Sequence, residues 1–321
     1  MKLDKQGQVD FVMLFAIIAG SMILLLAIYG AIKAGTTMQT TNQAELAKSI
    51  QIITDPMQAG FAEASTATIS MKQNITISND CSTDDGFGVN KISVEIPSPA
   101  GIQNQMPTSP VKISITNKYI FSDLTPGKIF YVFSQPFNSP FRVADVLIVS
   151  SQDYCFINPP DSISAEVFGL HVKNIGIKNT FNNTCAIDAK TVCFGPSNCD
   201  ISVVGECNKA GCDTAFDYGY VKKRSDQLDY SGNLLFAAIF SDKDLYDCNV
   251  QRLMFRLSDI ADLLSQKADR MNARGCNVLM KPDMEALLSL TQNATSDSLQ
   301  GIYDFSQSIQ IKEDNEECKL W

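Results

Sequence analysis

The sequence predicts an α+β fold with a long N-terminal transmembrane α-helix, an antiparallel β-sandwich-like domain and a C-terminal helical unit, and it predicts a disulfide-rich protein. Residues 11–32 contain no charge, and short segments between residues 91 and 240 alternate apolar with polar side chains. Residues 246–271 repeat apolar side chains at helical spacing. The ten cysteines all follow the apolar segment and are even in number, which is typical of a disulfide framework in an oxidising compartment.

The uncharged segment at residues 11–32 reads FVMLFAIIAGSMILLLAIYGAI. Its 22 residues would form a helix about 33 Å long, which is enough to cross the hydrocarbon core of a membrane. A removed secretory signal peptide is the alternative, but its apolar region would be shorter and a small-x-small cleavage site would follow it. The segment therefore predicts a membrane span.

The predicted helix continues beyond the span. Leu46, Ile50 and Ile53 recur at helical spacing, so one long helix is predicted over residues 6–70. Two helices joined near residues 35–37 are the alternative. Because Lys2 and Lys5 precede the span, positive charge favours a cytoplasmic N-terminus and an extracellular C-terminal domain, as in a single-pass protein of the cell membrane.

Residues 85–240 are predicted to form the extracellular β-rich domain. Apolar side chains alternate with polar ones around Ile92 and Val94, and again around Ile113 and Ile115. Many short strands separated by turn-forming residues favour an antiparallel sandwich. Further predicted strands cover residues 129–133, 143–149, 167–172, 201–204 and 234–240.

Residues 241–321 are predicted to form the C-terminal helical unit. Ser241 and Asp242 precede the apolar stripe in the manner of a capping box, and Gly275 is a plausible C-terminal stop. The stripe passes through Leu253 and Leu257. Further helices are predicted at residues 283–290 and 299–311.

The cysteines predict disulfides rather than a metal site. The closest pair has four residues between its members, and His171 is the only histidine, whereas zinc sites need close Cys pairs or Cys combined with His. Residues 181–212 form a Cys-rich segment with few apolar residues, which disulfides would order. No metal and no cofactor are predicted. The disulfide candidates, whose pairing the sequence leaves open, are Cys81, Cys155, Cys185, Cys193, Cys199, Cys207, Cys212, Cys248, Cys276 and Cys318.

Composition and motifs argue against two classes of function. The net charge is −9 and the longest basic run is residues 222–224, so a nucleic-acid partner is not expected. No nucleophile elbow, P-loop or dinucleotide motif occurs, and His171 lies in an apparent strand, so the chain is predicted not to be an enzyme. A hydrolase with two catalytic carboxylates is the open alternative.

Asn74, Asn182 and Asn293 begin N-x-[ST] glycosylation motifs, which an extracellular chain could use.

Residues 5–11 read KQGQVDF and run directly into the apolar segment. This pattern resembles the class III signal of archaeal type IV pilin-like proteins, in which a short cationic leader precedes Q-x-S-x-E-F. Gln6, Asp10 and Phe11 match the Gln, the acid and the Phe of that motif. Gln8 stands where the family has Ser, and Lys5 stands where it often has Gly. The resemblance covers roughly the first 55 residues.

The resemblance implies that a prepilin peptidase removes residues 1–5 by cutting before Gln6. Gly7 offers a second register, with a leader of residues 1–7. It also implies that Asp10 and Phe11 contribute to subunit assembly, where the Asp10 carboxylate pairs with the new amino terminus of a neighbouring subunit. The expected partners are the membrane, the prepilin peptidase and other pilin-like subunits.

The implied function is a structural subunit or minor component of an extracellular filament or surface assembly. The alternative is an uncleaved, single-pass, membrane-anchored adhesin or ligand-binding receptor.

Overall fold

The computed structural model of the protein describes residues 19–30, 66–95, 111–123, 125–179, 185–195, 199–206 and 216–321. The described part is an α+β fold, in which two mixed sheets and a set of C-terminal helices share one large apolar core.

The predicted fold class is wrong in its first element, the long N-terminal transmembrane helix. No helix in the described residues is both long enough and apolar enough to cross a membrane. Residues 19–30 are helical. The other residues of the predicted span 11–32 and of the long helix 6–70 lie outside the described ranges, except for residues 66–70. Those five residues begin a β-strand.

The first sheet has the strand order β3-β2-β1-β5-β6-β4. Its neighbours pair in antiparallel fashion, except that β4 runs parallel to β6. The strands are β1 (Thr66–Ser82), β2 (Val89–Glu95), β3 (Val111–Ile115), β4 (Tyr119–Asp123), β5 (Gly127–Asn138) and β6 (Arg142–Ser150).

The long strand β1 divides this sheet into two layers. It pairs with β5 through Ser70 and with β2 from Thr76, and its register shifts between Ser70 and Ile75. The layer β1-β2-β3 covers one face of β5 and β6, because side chains from both layers form one small buried cluster. On β6, Leu147 faces this cluster and Ile148 faces the main core. Because both faces of β6 are buried, its sequence is almost continuously apolar.

The second sheet has the order β12-β11-β10-β9-β7-β8 and overturns the antiparallel prediction. β7 runs parallel to β8 and to β9, and β9 runs parallel to β10. The strands are β7 (Tyr154–Ile157), β8 (Ile175–Lys178), β9 (Lys190–Phe194), β10 (Ile201–Glu206), β11 (Tyr218–Lys223) and β12 (Asp226–Ser231).

Two predicted strands are helices. Residues 167–172 were predicted as a strand but complete helix α1 (Asp161–Leu170), which supplies the crossover that parallel pairing of β7 and β8 requires. Residues 234–240 were predicted as a strand but form α2 (Leu234–Ile239), in which every residue is buried. A short apolar run without clear periodicity fits a buried helix and a buried strand equally well.

The predicted C-terminal helices are confirmed. The structure has α3 (Lys243–Asn272), α4 (Lys281–Thr291) and α5 (Leu299–Asn315). The Asp242 carboxylate caps α3 by accepting a hydrogen bond from the Leu245 N–H at 2.9 Å. Gly275 adopts φ +89° just beyond the end of α3, a conformation that favours glycine.

The disulfide prediction is confirmed for every cysteine in the described ranges. The bridges join Cys81 to Cys248, Cys155 to Cys185, Cys193 to Cys199 and Cys276 to Cys318. The first ties β1 to α3, and the last ties the end of the chain to the segment after α3. Cys207 and Cys212 lie outside the described residues.

Candidate functional site

A polar pocket of about 720 Å³ lies where the first sheet, the second sheet and the start of α3 meet. We call it the Lys223 pocket. Asp123 lies at the end of β4, Lys190 at the start of β9 and Lys223 at the end of β11, while Ser241 and Asp242 directly precede α3. Since each residue stands at the end of a strand or helix, side chains distant in sequence converge on one cavity.

Asp123 is held by two donors at one side of the pocket. The Tyr154 hydroxyl donates to Asp123 Oδ2 at 3.1 Å, and Lys190 Nζ forms an ion pair with the same carboxylate. Burial raises the pKa of Tyr154, and the neighbouring Asp123 charge raises it further. The phenol therefore stays protonated and remains a hydrogen-bond donor.

Lys223 is a largely buried amine whose hydrogen-bond partner is a backbone carbonyl. Its Nζ donates to the backbone carbonyl of Ser241 at 2.6 Å, and within the described residues it forms no ion pair with a carboxylate. The pKa of Lys223 is lowered to about 8, mainly by burial and in smaller part by the Lys190 charge, although the Asp123 charge opposes this shift. Part of the amine is therefore neutral at mildly alkaline pH.

Two acidic side chains of the pocket, Asp200 and Asp242, already have other partners. Asp200 accepts hydrogen bonds from the Thr191 N–H at 2.9 Å and the Thr191 hydroxyl at 2.7 Å, and these bonds lower the pKa of Asp200. Asp242 caps α3, as described above. A small polar ligand with an anionic group could therefore pair with Lys223 without displacing an existing ion pair.

Within the described ranges, no three His, Cys, Asp or Glu side chains are grouped as possible metal ligands.

No protein-family model, curated protein or solved structure matches the chain.

The predicted processing and assembly motif lies outside the described ranges; it comprises residues 5–8, Asp10 and Phe11. The glycosylation candidate Asn182 also lies outside them. Asn74 is exposed on β1, and Asn293 is exposed after α4. Both asparagines are thus accessible, and glycosylation remains a prediction.

His171 does not lie in a strand as predicted. It forms the C-cap of α1 in the left-handed conformation, and its Nδ1 lies 2.5 Å from the Phe168 carbonyl oxygen. The residue is exposed and does not line the Lys223 pocket.

The Lys223 pocket was not predicted from the sequence. The basic run at residues 222–224 was considered as a possible nucleic-acid surface, and its residues Lys222 and Arg224 are exposed. Lys223 differs because alternate side chains of a strand point to opposite faces, and its face is covered. That alternation was the one available signal, but the partners Asp123 and Ser241 could not be inferred from it.

Replacing Lys223 with Met should change how stability depends on pH. Between pH 8 and about 10.5 the unfolded chain binds more protons at Lys223 than the folded chain, so the wild-type free energy of unfolding rises with pH in this window. Below pH 8 the cost of burying the charge is fully present. We expect the wild type to gain about 1–2 kcal/mol relative to Lys223→Met between pH 7 and pH 9.5, measured by urea unfolding.

The control is Lys222→Met, because Lys222 is the exposed neighbour on the same strand. Its stability difference from the wild type should not change between the two pH values. Parallel pH profiles for wild type and Lys223→Met would show that Lys223 titrates as it does in water.

Proposed function

We propose that the chain is an exported, pilin-like surface protein that serves as a structural subunit or minor component of an extracellular filament or surface assembly, rather than as an enzyme. Four disulfides in the described residues support an oxidising compartment, where such bonds form and persist. The motif at residues 5–11 supports processing before Gln6.

The observation that carries this proposal is the helical segment at residues 19–30, whose large apolar side chains are all exposed. A helix that is apolar on every side is normally buried. Something must therefore cover it on all sides. The exposed side chains are those of Met22, Ile23, Leu24, Leu25, Leu26, Ile28 and Tyr29, with exposed fractions from 48% to 68%.

Copies of the same segment from neighbouring subunits would provide this cover. Helices that are apolar all round can pack into a common core, in which each buries its surface against several others. In the pilin-like proteins that the motif resembles, a carboxylate and a free amino terminus pair between subunits. Asp10 and the amine created by processing would form that pair.

The test combines the mass of the mature chain with its state of assembly. Protein co-expressed with a prepilin peptidase should begin at Gln6, or at Gln8 in the second register, and should sediment as large particles. Leu24→Asn should keep the processing and lose the particles, because a polar amide among apolar helices costs about 1–3 kcal/mol in every subunit.

Leu279→Asn is the matched control, since Leu279 is 65% exposed, close to the 61% of Leu24, but lies outside the segment. Its particles should form normally. A chain that still begins at Met1, or a Leu24→Asn variant that assembles as the wild type does, would contradict the proposal.

A second candidate function is an uncleaved adhesin or ligand-binding receptor. The Lys223 pocket favours it, since a half-buried ammonium bonded to a carbonyl is a good partner for a ligand anion. A mature chain beginning at Met1 would select this candidate.

A further inference from the structure

The Lys223 amine meets three conditions for a reactive nucleophile, which are access, orientation and a neutral state. Access is given by the Lys223 pocket, whose volume of about 720 Å³ lies within the range of small-molecule sites. The Lys223 side chain lines this pocket and keeps part of its surface exposed. A small molecule that enters the pocket therefore meets this side chain.

A single hydrogen bond orients the Lys223 amine. Its Nζ donates to the Ser241 carbonyl at 2.6 Å, and within the described residues it makes no second hydrogen bond and no ion pair. Ser241 is 0% exposed and directly precedes α3, so the position of this carbonyl is fixed by the fold. A neutral amine that donates an N–H to a carbonyl directs its lone pair away from that carbonyl. The lone pair of Lys223 is therefore available to a molecule in the pocket.

The surroundings of Lys223 favour its neutral form. Burial is the main cause of its low pKa of about 8, and the Lys190 charge also lowers this pKa, while the charges of Asp123, Asp242 and Asp226 oppose the shift without cancelling it. At pH 8 about half of the Lys223 amine is neutral, whereas a lysine in water, with a pKa of about 10.4, is less than about 1% neutral. A lysine that is desolvated or placed near a second cation is activated for attack on carbonyl groups.

We propose that Lys223 captures a small uncharged aldehyde as a reversible imine. The lone pair of Nζ attacks the carbonyl carbon, a C–N bond forms, and the π electrons of the carbonyl move to its oxygen. Both protons of the neutral amine pass to that oxygen through solvent, the C–O bond breaks, and water leaves. No oxidant or reductant is consumed, and water reverses the reaction. When the imine takes up a proton, its N–H can donate to the Ser241 carbonyl as the amine did.

The charges of the pocket favour an uncharged aldehyde over one that carries a carboxylate. The lining contains five aspartates against three lysines and one arginine, so it offers no net attraction to an anion. Two of these basic groups are already paired, Lys190 with Asp123 and Lys243 with Asp247. An uncharged molecule needs no counter-ion when it enters.

The capture chemistry gives a ligand class to the receptor that is the second candidate function. It rests on the ligand-binding role of the Lys223 pocket and does not require assembly through residues 19–30. Capture is detected at a modified lysine, whereas the mature N-terminus separates the receptor from the filament subunit. Failure of one proposal therefore leaves the other standing.

The experiment incubates the full-length, disulfide-bonded protein with propanal and sodium cyanoborohydride at pH 8. Cyanoborohydride reduces the imine to a secondary amine, so each captured aldehyde leaves a propyl group that peptide mass spectrometry locates. We expect Lys223 to be labelled at least about tenfold faster than Lys222, because far more of the Lys223 amine is neutral than in an ordinary lysine. Lys222 is the right reference, since it is the exposed neighbour on the same strand.

Unfolding is the matched control, because it removes the pocket and leaves the sequence unchanged. In guanidinium chloride, with the disulfides intact, Lys223 should be labelled at the same rate as Lys222. In the folded protein, Lys222→Met should leave the labelling of Lys223 at the wild-type rate. The proposal is overturned if folded Lys223 is labelled no faster than Lys222, or if its advantage persists after unfolding.

Discussion

Arg252→Met should lower the free energy of unfolding by about 2–4 kcal/mol, measured by urea denaturation with all disulfides oxidised. Arg252 lies on α3 and is 0% exposed. It forms no ion pair with a carboxylate in the described residues, so its bonds go to uncharged groups. The loss would come from the acceptors that it now satisfies.

Those acceptors belong to the β1–β2 turn and to two asparagines. Arg252 Nε donates to the Phe87 carbonyl at 2.6 Å, and Nη1 donates to Asn90 Oδ1 at 2.6 Å and Asn249 Oδ1 at 2.7 Å. Both asparagine amides are already oriented, since Asn249 Nδ2 donates to the Ile120 carbonyl at 3.0 Å and Asn90 Nδ2 donates to Asn79 Oδ1 at 3.1 Å. A methionine would leave Asn249 Oδ1 and the part-buried Phe87 carbonyl without this donor, at about 1–3 kcal/mol each, whereas Asn90 Oδ1 would still accept from the Ile120 N–H at 3.3 Å.

Part of that loss is offset, because burying the guanidinium is itself unfavourable. Burial lowers the pKa of Arg252 to about 10, while the Tyr119 ring, 4.9 Å from Arg252 Cζ, provides a favourable cation–π contact. Arg270→Met, on the exposed side of the same helix, should change stability by less than about 0.5 kcal/mol. An Arg252→Met variant within that range would mean that the network contributes no net stability.

The sequence predicted α3 well because its pattern is local. Asp242 begins the helix, the apolar side chains recur at helical spacing, and Gly275 follows the end. The hydrogen bonds of Arg252 could not be predicted from the sequence, because its acceptor at Phe87 lies 165 residues away in the chain. A buried arginine and an exposed one look the same until the partner segment is placed.

The second sheet shows a different limit of predicting structure from the sequence. Residues 167–172 and 234–240 are short apolar runs, and such runs do not distinguish a strand from a buried helix. Once residues 167–172 are seen to end α1, the parallel pairing of β7 and β8 follows from the crossover. The Lys223 pocket depends on the same topology, since it brings together strand ends that the sequence keeps far apart.

Removing the Cys81–Cys248 disulfide should have the largest effect on stability. The double substitution Cys81→Ala and Cys248→Ala should lower the free energy of unfolding by about 3–5 kcal/mol, because the bridge closes a loop with a sequence separation of 167. The unfolded chain gains the entropy of that open loop. The denaturant dependence of unfolding should also steepen, since the unfolded state becomes less compact.

The matched control is the Cys276–Cys318 pair, replaced by alanines in the same way. Its sequence separation is 42, so the chain-entropy model predicts a loss smaller by about 1 kcal/mol. Equal losses for the two pairs would show that local packing, rather than loop closure, sets the effect.

The Cys81–Cys248 bridge and Arg252 hold the same parts of the fold together. Cys81 lies at the end of β1, the Arg252 acceptor Phe87 lies in the turn that follows, and both are tied to α3. The two losses should therefore not be additive. With the bridge absent, the β1–β2 turn can separate from α3 before the rest of the chain unfolds, and Arg252→Met should then cost less global stability. A double-mutant cycle with a coupling energy below about 0.5 kcal/mol would contradict this shared role.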